Sequence, residues 1–357
     1  MKKLGLGCMR LPTNDGIIDL PQVKQMVDEY LAAGFTYFDT AYMYHGGKSE
    51  TTVREALVER YPRESFLLAD KMPCSMLEKA EDVPRIFAEQ LERCGVAYFD
   101  YYLAHALSRK NYDACQNFHV FEYMTEQKKA GKIRHIGFSF HDSPETLEQI
   151  LTDHPEVEFV QLQINYLDWE SSSVAARKCY EIVRSHGKEV IIMEPVKGGT
   201  LARMPEKAVD ILKAAAPDKS PASWAMRFAL GLEGVLVVLS GMSDLAQLRD
   251  NMQTTDSFAP FTAEEQAALV SVTEILDGSK GIACTACRYC VEGCPQNIAI
   301  ADLFSAYNAH KLTGEPFEKP EGGAPAECVR CRKCEKVCPQ HLKITMYLKT
   351  VGAVYEK

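Results

Sequence analysis

FTYFDTA (35–41), FLLADKM (66–72) and YYLAHA (101–106) punctuate residues 35–106, and their common build decides the fold. Each run is short, apolar and rich in β-branched or aromatic residues, and stretches of helical periodicity (49–60 and 82–94) lie between them. Short buried strands alternating with amphipathic helices form βα units around a parallel sheet. The pattern extends in both directions. Downstream follow IRHIGFSF (133–140), EFVQLQIN (158–165), EVIIMEP (189–195) and GVLVVLSGM (234–242), with helix candidates at 116–130, 144–152, 172–185 and 204–215. Upstream, a helix-like stretch at 21–33 is preceded by LGLGCMRL. Seven runs and this opening one make eight, which predicts an α/β fold of the (β/α)8 TIM-barrel type. Glycines at Cys94-Gly95, Ala130-Gly131 and His186-Gly187 suit helix C-caps, where the left-handed conformation is needed.

The pattern stops at about Asp277, so the barrel is placed at 1–277 and a second, small α+β domain at 278–357. A chain of 357 residues holds both, with about 100–200 residues per domain as the usual range. Hydrophobic residues at 46% and charged residues at 25% exclude a disordered or fibrous chain. The net charge of −9 argues against nucleic acid and anionic membranes as partners, since both need a basic face. Charge is divided unevenly, because residues 278–357 carry 11 Lys and Arg against 8 Asp and Glu. No uncharged apolar run reaches the roughly 18 residues of a membrane span, and Arg10 interrupts the N-terminal apolar stretch before it could serve as a signal peptide. A cytoplasmic location is expected, and in that reducing compartment clustered cysteines bind metal rather than form disulfides.

Eight of the 13 cysteines lie in two copies of one spacing. Cys284, Cys287, Cys290 and Cys294 are followed by Pro295, and Cys328, Cys331, Cys334 and Cys338 by Pro339. Three cysteines at this interval let a loop wrap three corners of an iron–sulfur cube, and the fourth begins a new element. Structural zinc, the competing chemistry, takes four ligands per motif pair and leaves the third cysteine and the proline unexplained. Residues 281–345 resemble a bacterial dicluster ferredoxin domain. In that arrangement the fourth cysteine ligates the other cluster. One 4Fe-4S cluster would take Cys284, Cys287, Cys290 and Cys338, and the other Cys328, Cys331, Cys334 and Cys294.

In the barrel, Asp39, Lys71 and His105 recur at nearly one phase of the βα repeat, 32 and 34 residues apart. Polar residues ending apolar strands face the C-terminal mouth, where such barrels carry their chemistry. With Tyr44 just beyond the first of these strands, the barrel resembles the aldo-keto reductase family. The carriers of the likeness are FDTAxxY (38–44), Lys71, the YLxH strand, GFS (137–139), VQLQIN (160–165), EPVKGG (194–199) and LSGMSDLAQLRDN (239–251). The resemblance implies Tyr44 as the acid that protonates a carbonyl oxygen, Lys71 as support for its phenolate, Asp39 as the holder of Lys71, and His105 as a positioning or polarising group. It places Ser139 and Gln161 on a nicotinamide amide, and Gly241 and Asn251 along the loop and helix that take the rest of the dinucleotide.

The sequence also departs from that family. Phe140 replaces an asparagine, Met193 a ring-stacking tyrosine, and Gly241 and Gln247 stand where a basic pair would meet a 2′-phosphate. Arg249, about 100° further round the helix than its neighbour, is expected to face elsewhere. These departures lean toward NADH over NADPH. The leading expectation is nicotinamide-dependent reduction of an aldehyde or ketone, with the clusters structural or coupled to electron flow. Two alternatives stand beside it: an enzyme passing electrons between a ferredoxin- or flavodoxin-type carrier and a substrate or flavin, and a non-catalytic electron carrier. Trp169 and Tyr42 are expected to pack or to line the mouth, and the scattered Cys8, Cys74, Cys94, Cys115 and Cys179 to be buried thiols.

Overall fold

The structure is a computed structural model that describes residues 1–171, 174–278, 281–314 and 316–356. Eight parallel strands close into a barrel in which every strand pairs with its neighbours in sequence and the last returns to the first. They are β1 (Leu4–Gly7), β2 (Tyr37–Asp39), β3 (Leu67–Met72), β4 (Phe99–Leu107), β5 (Ile133–Phe140), β6 (Phe159–Gln163), β7 (Glu189–Met193) and β8 (Val235–Ser240). The eight strands fall on the eight expected runs, and helices such as Leu20–Ala32, Asp82–Cys94 and Ala176–Ser185 lie between them. Along most of their length the strands are buried on both sides, which explains their runs of apolar residues.

Side chains alternate along a strand, so one parity fills the barrel and the other meets the helices. Tyr37, Ala69, Tyr101, Phe159, Ile191 and Val237 form the interior cluster. Glycines on the same parity make room for these large rings. A Cβ on Gly137 would lie 2.5 Å from the Phe159 carbonyl oxygen and 2.6 Å from its ring. Gly137→Ala is therefore expected to destabilise the barrel by about 1–3 kcal/mol through overpacking, seen as a lower urea midpoint with an unchanged slope.

One expected helix is two. The 116–130 stretch resolves into Arg109–Asn117 and Val120–Lys129, separated by His119 in the left-handed region at φ 55°. Ser108 and Asn111 form a reciprocal cap that starts the first of these helices well before the apolar periodicity becomes clear. A hairpin of Thr13–Asn14 and Ile17–Ile18, turned by Asp15-Gly16, precedes the first helix.

The chain divides into two compact units, residues 1–195 with 226–259 and residues 196–225 with 260–357. The second unit therefore takes in the stretch after β7 and the helix Ala263–Gly278. Its cysteine-rich part has a core of Ile298, Ile300, Phe304, Leu342, Ile344 and Leu348. The last three repeat the first three 44 residues later, the interval that also separates Cys284 from Cys328. Helices Ile300–Thr313 and Ile344–Tyr355 supply most of this core, with an isolated bridge between Ile298 and Gly323. Among the described residues no helix is long and apolar enough to cross a membrane.

Candidate active site and cysteine cavities

The inward parity that fills the barrel with apolar side chains ends on polar ones. Asp39 lies two residues beyond Tyr37, Lys71 two beyond Ala69, His105 two beyond Leu103, Ser139 two beyond Gly137 and Gln161 two beyond Phe159. All five are buried, and Lys71 is fully so. Its Nζ donates to Asp39 Oδ1 at 2.6 Å and to the Thr40 carbonyl at 2.6 Å. The same Nζ stands 4.9 Å from the centre of the Tyr44 ring, and that ring meets His105 edge-on at 5.9 Å. Tyr44, Lys71, Asp39 and His105 are thus brought together.

The electrostatics follow from burial. The Tyr44 phenol is pushed well above its ordinary range, first by burial and then by the Asp39 charge. His105 is pushed well below the usual histidine range by burial, Lys71 and His141, so its imidazole is neutral. Burial also raises the Asp39 carboxyl, with Lys71 opposing. His105 Nδ1 and Gln161 Oε1 are buried and unpartnered, while the Gln161 amide nitrogen touches Met193 Sδ at 3.5 Å. Ser139 Oγ accepts the Ala106 N–H at 2.7 Å. A buried acceptor such as Gln161 Oε1 calls for a donor, and a carboxamide N–H of a nicotinamide has the right chemistry.

Asn251 and Gly241 lie elsewhere around the mouth. Asn251 donates to Ser240 Oγ at 2.9 Å, which anchors the helix Leu245–Asp256 to the end of β8, and Gly241 is exposed. Gln247 folds back on Asp244, and Arg249 forms a two-pronged pair with Glu29 at 2.7 and 2.8 Å, away from the loop as its phase predicts. Phe140 has the outward parity and meets Phe138 edge-on. Trp169 packs against Phe228 and Tyr180, Tyr42 is held by Glu89 and Arg93, and the five scattered cysteines are buried.

Sequence reading missed the support behind Lys71. Asp70 has the outward parity and is fully buried beside Glu50 and Cys94. Burial and the neighbouring Glu50 push the Asp70 carboxyl well up. Glu50 is paired with Arg93 at 2.8 Å, and Gln90 bridges Glu50 to the Lys71 carbonyl at 3.1 and 3.0 Å. The available signal was a second charged residue next to Lys71 in an otherwise apolar strand.

In the second unit, Cys284, Cys287, Cys290 and Cys338 line one cavity and Cys294, Cys328, Cys331 and Cys334 another. The fourth cysteine of each motif faces the first three of the other. The backbone repeats as well. Ala286 and Arg288 have φ of 52° and 67°, Arg330 and Arg332 have 56° and 57°, and Asn297 and His341 both have 50°. Alternating left-handed residues turn successive N–H groups into a concave nest for an anion, and four thiolates with such a nest suit an anionic iron–sulfur cube.

A parallel eight-stranded barrel with a buried Lys–Asp pair and tyrosine at its mouth, joined to two four-cysteine cavities, defines an iron–sulfur oxidoreductase. Residues 3–274 match the sequence model of the aldo/keto reductase family, and the chain belongs to that family. Residues 283–342 match a 4Fe-4S dicluster domain. An uncharacterized oxidoreductase of Bacillus subtilis is 25% identical over 77% of this chain and 93% of its own length. The L-galactose dehydrogenase of Arabidopsis thaliana is 24% identical over 78% and 92%. Among solved structures, an aldo-keto reductase from Bacillus halodurans in its holo form superposes with a TM-score of 0.61 at 25% identity, over 76% of this chain and 91% of that one.

Proposed function

We propose that the barrel reduces a small aldehyde or ketone with a nicotinamide dinucleotide, and that the cysteine cavities hold two 4Fe-4S clusters with crossed ligation. The barrel enzyme would span 1–277 and the cluster domain 278–357. The observation that carries the reading is the fully buried Lys71, held by Asp39 and set against the Tyr44 ring. A buried ammonium is tolerated only when paired, as Lys71 is by Asp39, and such buried charges cluster at functional sites; here it faces a group whose charge changes in a proton transfer. Tyr44 gives its proton to the carbonyl oxygen, Lys71 stabilises the phenolate left behind, and Asp39 fixes Lys71. Neutral His105 donates a hydrogen bond to the same oxygen. Ser139 and Gln161 orient the carboxamide of the dinucleotide. The dinucleotide, when bound, supplies the hydride. Testing starts with anaerobic holoprotein, NADH or NADPH, and a panel of short aldehydes and dicarbonyls. Turnover with neither dinucleotide on any of them would overturn the reading.

Crossed ligation has its own test. Cys284→Ser with Cys338→Ser removes ligands of one cluster only, so iron content is expected to fall from about eight to about four per chain. Cys328→Ser with Cys338→Ser strikes both clusters and is expected to remove nearly all iron. The reverse pattern would assign each motif its own cluster.

A second reading, electron exchange with a small acidic ferredoxin- or flavodoxin-type carrier, is favoured by one surface. Cys331 is exposed, and so are Arg330, Arg332, Lys333 and Lys336 around it. Such a rim steers an acidic partner toward the cluster edge. The protein is assigned to a reducing, cytoplasmic setting in which these thiols persist.

A further inference from the structure

The loop after β8 lacks the basic pair that a dinucleotide phosphate would meet, yet the fold places a cation there from the other end of the chain. A Cβ on Gly241 would lie 2.9 Å from Cδ and 3.0 Å from Cγ of Arg10, so the missing side chain is what lets Arg10 lie across this loop. The two loops are fastened by Ser243 Oγ, which donates to the Arg10 carbonyl at 3.0 Å. The guanidinium reaches the end of β7, where it stands 3.6 Å from Glu194 Oε1 with a quarter of its side chain exposed. Arg10 therefore joins the C-terminal ends of β1, β7 and β8. The loops after the seventh and eighth strands are where barrels of this kind bind phosphate. Arg249, the basic residue on the helix that follows that loop, is turned to Glu29.

We propose that Arg10 is the cation that binds a phosphate of the dinucleotide, replacing from β1 the base that position 241 lacks. The inference rests on the nicotinamide reading above. A planar guanidinium suits phosphate oxygens, and Glu194, an anionic group 3.6 Å from it, marks where such an anion would sit. Glu194 then acts as a placeholder that keeps the guanidinium aimed at the mouth. The phosphate could be the 2′-phosphate of NADPH or the pyrophosphate common to both dinucleotides.

The test is calorimetric binding of NADP+ and NAD+ to holoprotein, for the wild type and for Arg10→Met, Arg10→Lys and Glu194→Gln. Arg10→Met is expected to weaken binding about 10- to 100-fold, the worth of a charged hydrogen bond. A loss confined to NADP+ assigns the 2′-phosphate, and an equal loss for both assigns the pyrophosphate. Arg10→Lys should recover part of the affinity, and Glu194→Gln should tighten binding. Wild-type binding with no change in Arg10→Met overturns the role of Arg10. Wild-type failure to bind either dinucleotide overturns the nicotinamide reading, and this inference with it. Should Arg10→Met not fold, as judged by circular dichroism and cluster absorbance, wild-type affinity against ionic strength and the Glu194→Gln variant decide. Affinity insensitive to both would contradict the proposal.

Discussion

Tyr44→Phe is expected to lower kcat for carbonyl reduction by about 100- to 10,000-fold while leaving dinucleotide affinity unchanged, the range ordinarily supplied by a positioned general acid. The hydroxyl is the only group removed, and the ring that packs against His105 and Lys71 remains. The pH profile carries the same signature with a definite sign. Burial pushes the phenol well up, so the acid stays protonated past a tyrosine's ordinary value of about 10. Burial and Lys71 push His105 well down, so it stays neutral below a histidine's ordinary value of about 6.5. Wild-type kcat for reduction is therefore expected to be flat from about pH 6.5 to about pH 10. An alkaline limb with a midpoint near 8 would mean that Lys71 outweighs burial and lowers the phenol. Such a limb, retained in Tyr44→Phe, would assign the acid to another group.

Lys71→Met separates stability from chemistry. Lys71 and Asp39 are both buried, and removing the ammonium leaves a carboxylate with no opposite charge beside it. Breaking a buried pair in this way costs about 3–5 kcal/mol, a large part of the stability of most domains. Lys71→Met should therefore lower the urea midpoint sharply and abolish turnover. Removing both charges, as Lys71→Met with Asp39→Leu, should recover most of the stability, because a buried ion pair replaced by apolar groups is often neutral. Turnover should stay absent, because nothing then stabilises the Tyr44 phenolate. Recovery of stability without activity would identify the pair as catalytic equipment. Equal instability of the double variant would make it a structural element instead.

Much of this was legible in the sequence because strand burial is written locally. A strand of a closed barrel is covered on both sides, so FLLADKM and EVIIMEP stand out as apolar runs, and a period of two places Asp39, Lys71 and His105 on one side. The resemblance of the cysteine motifs to dicluster ferredoxins likewise implied Cys338 with Cys284 and Cys294 with Cys328, and these residues line shared cavities. What escaped depends on partners far apart in sequence. The Arg10 contacts with Gly241 and Glu194 arise only once the barrel closes and aligns the ends of β1, β7 and β8. The buried group of Asp70, Glu50 and Gln90 behind Lys71 is assembled from β3 and two helices. The extra helix Arg109–Asn117 is started by a Ser108–Asn111 cap that apolar periodicity does not register. The grouping of residues 196–225 with the C-terminal segment reflects tertiary packing, where sequence pattern alone puts the boundary at about Asp277.

Hydride transfer to a carbonyl, with Tyr44 as the proton donor, leaves an isotopic signature in the product. It is measured by mass spectrometry of the alcohol formed from short aldehydes and dicarbonyls by anaerobic holoprotein, given NADPH or NADH carrying deuterium at both C4 positions of the nicotinamide. The expected result is one deuterium on the carbinol carbon in the wild type and almost no product with Tyr44→Phe. An alcohol formed without deuterium, or formed equally well by Tyr44→Phe, would contradict it.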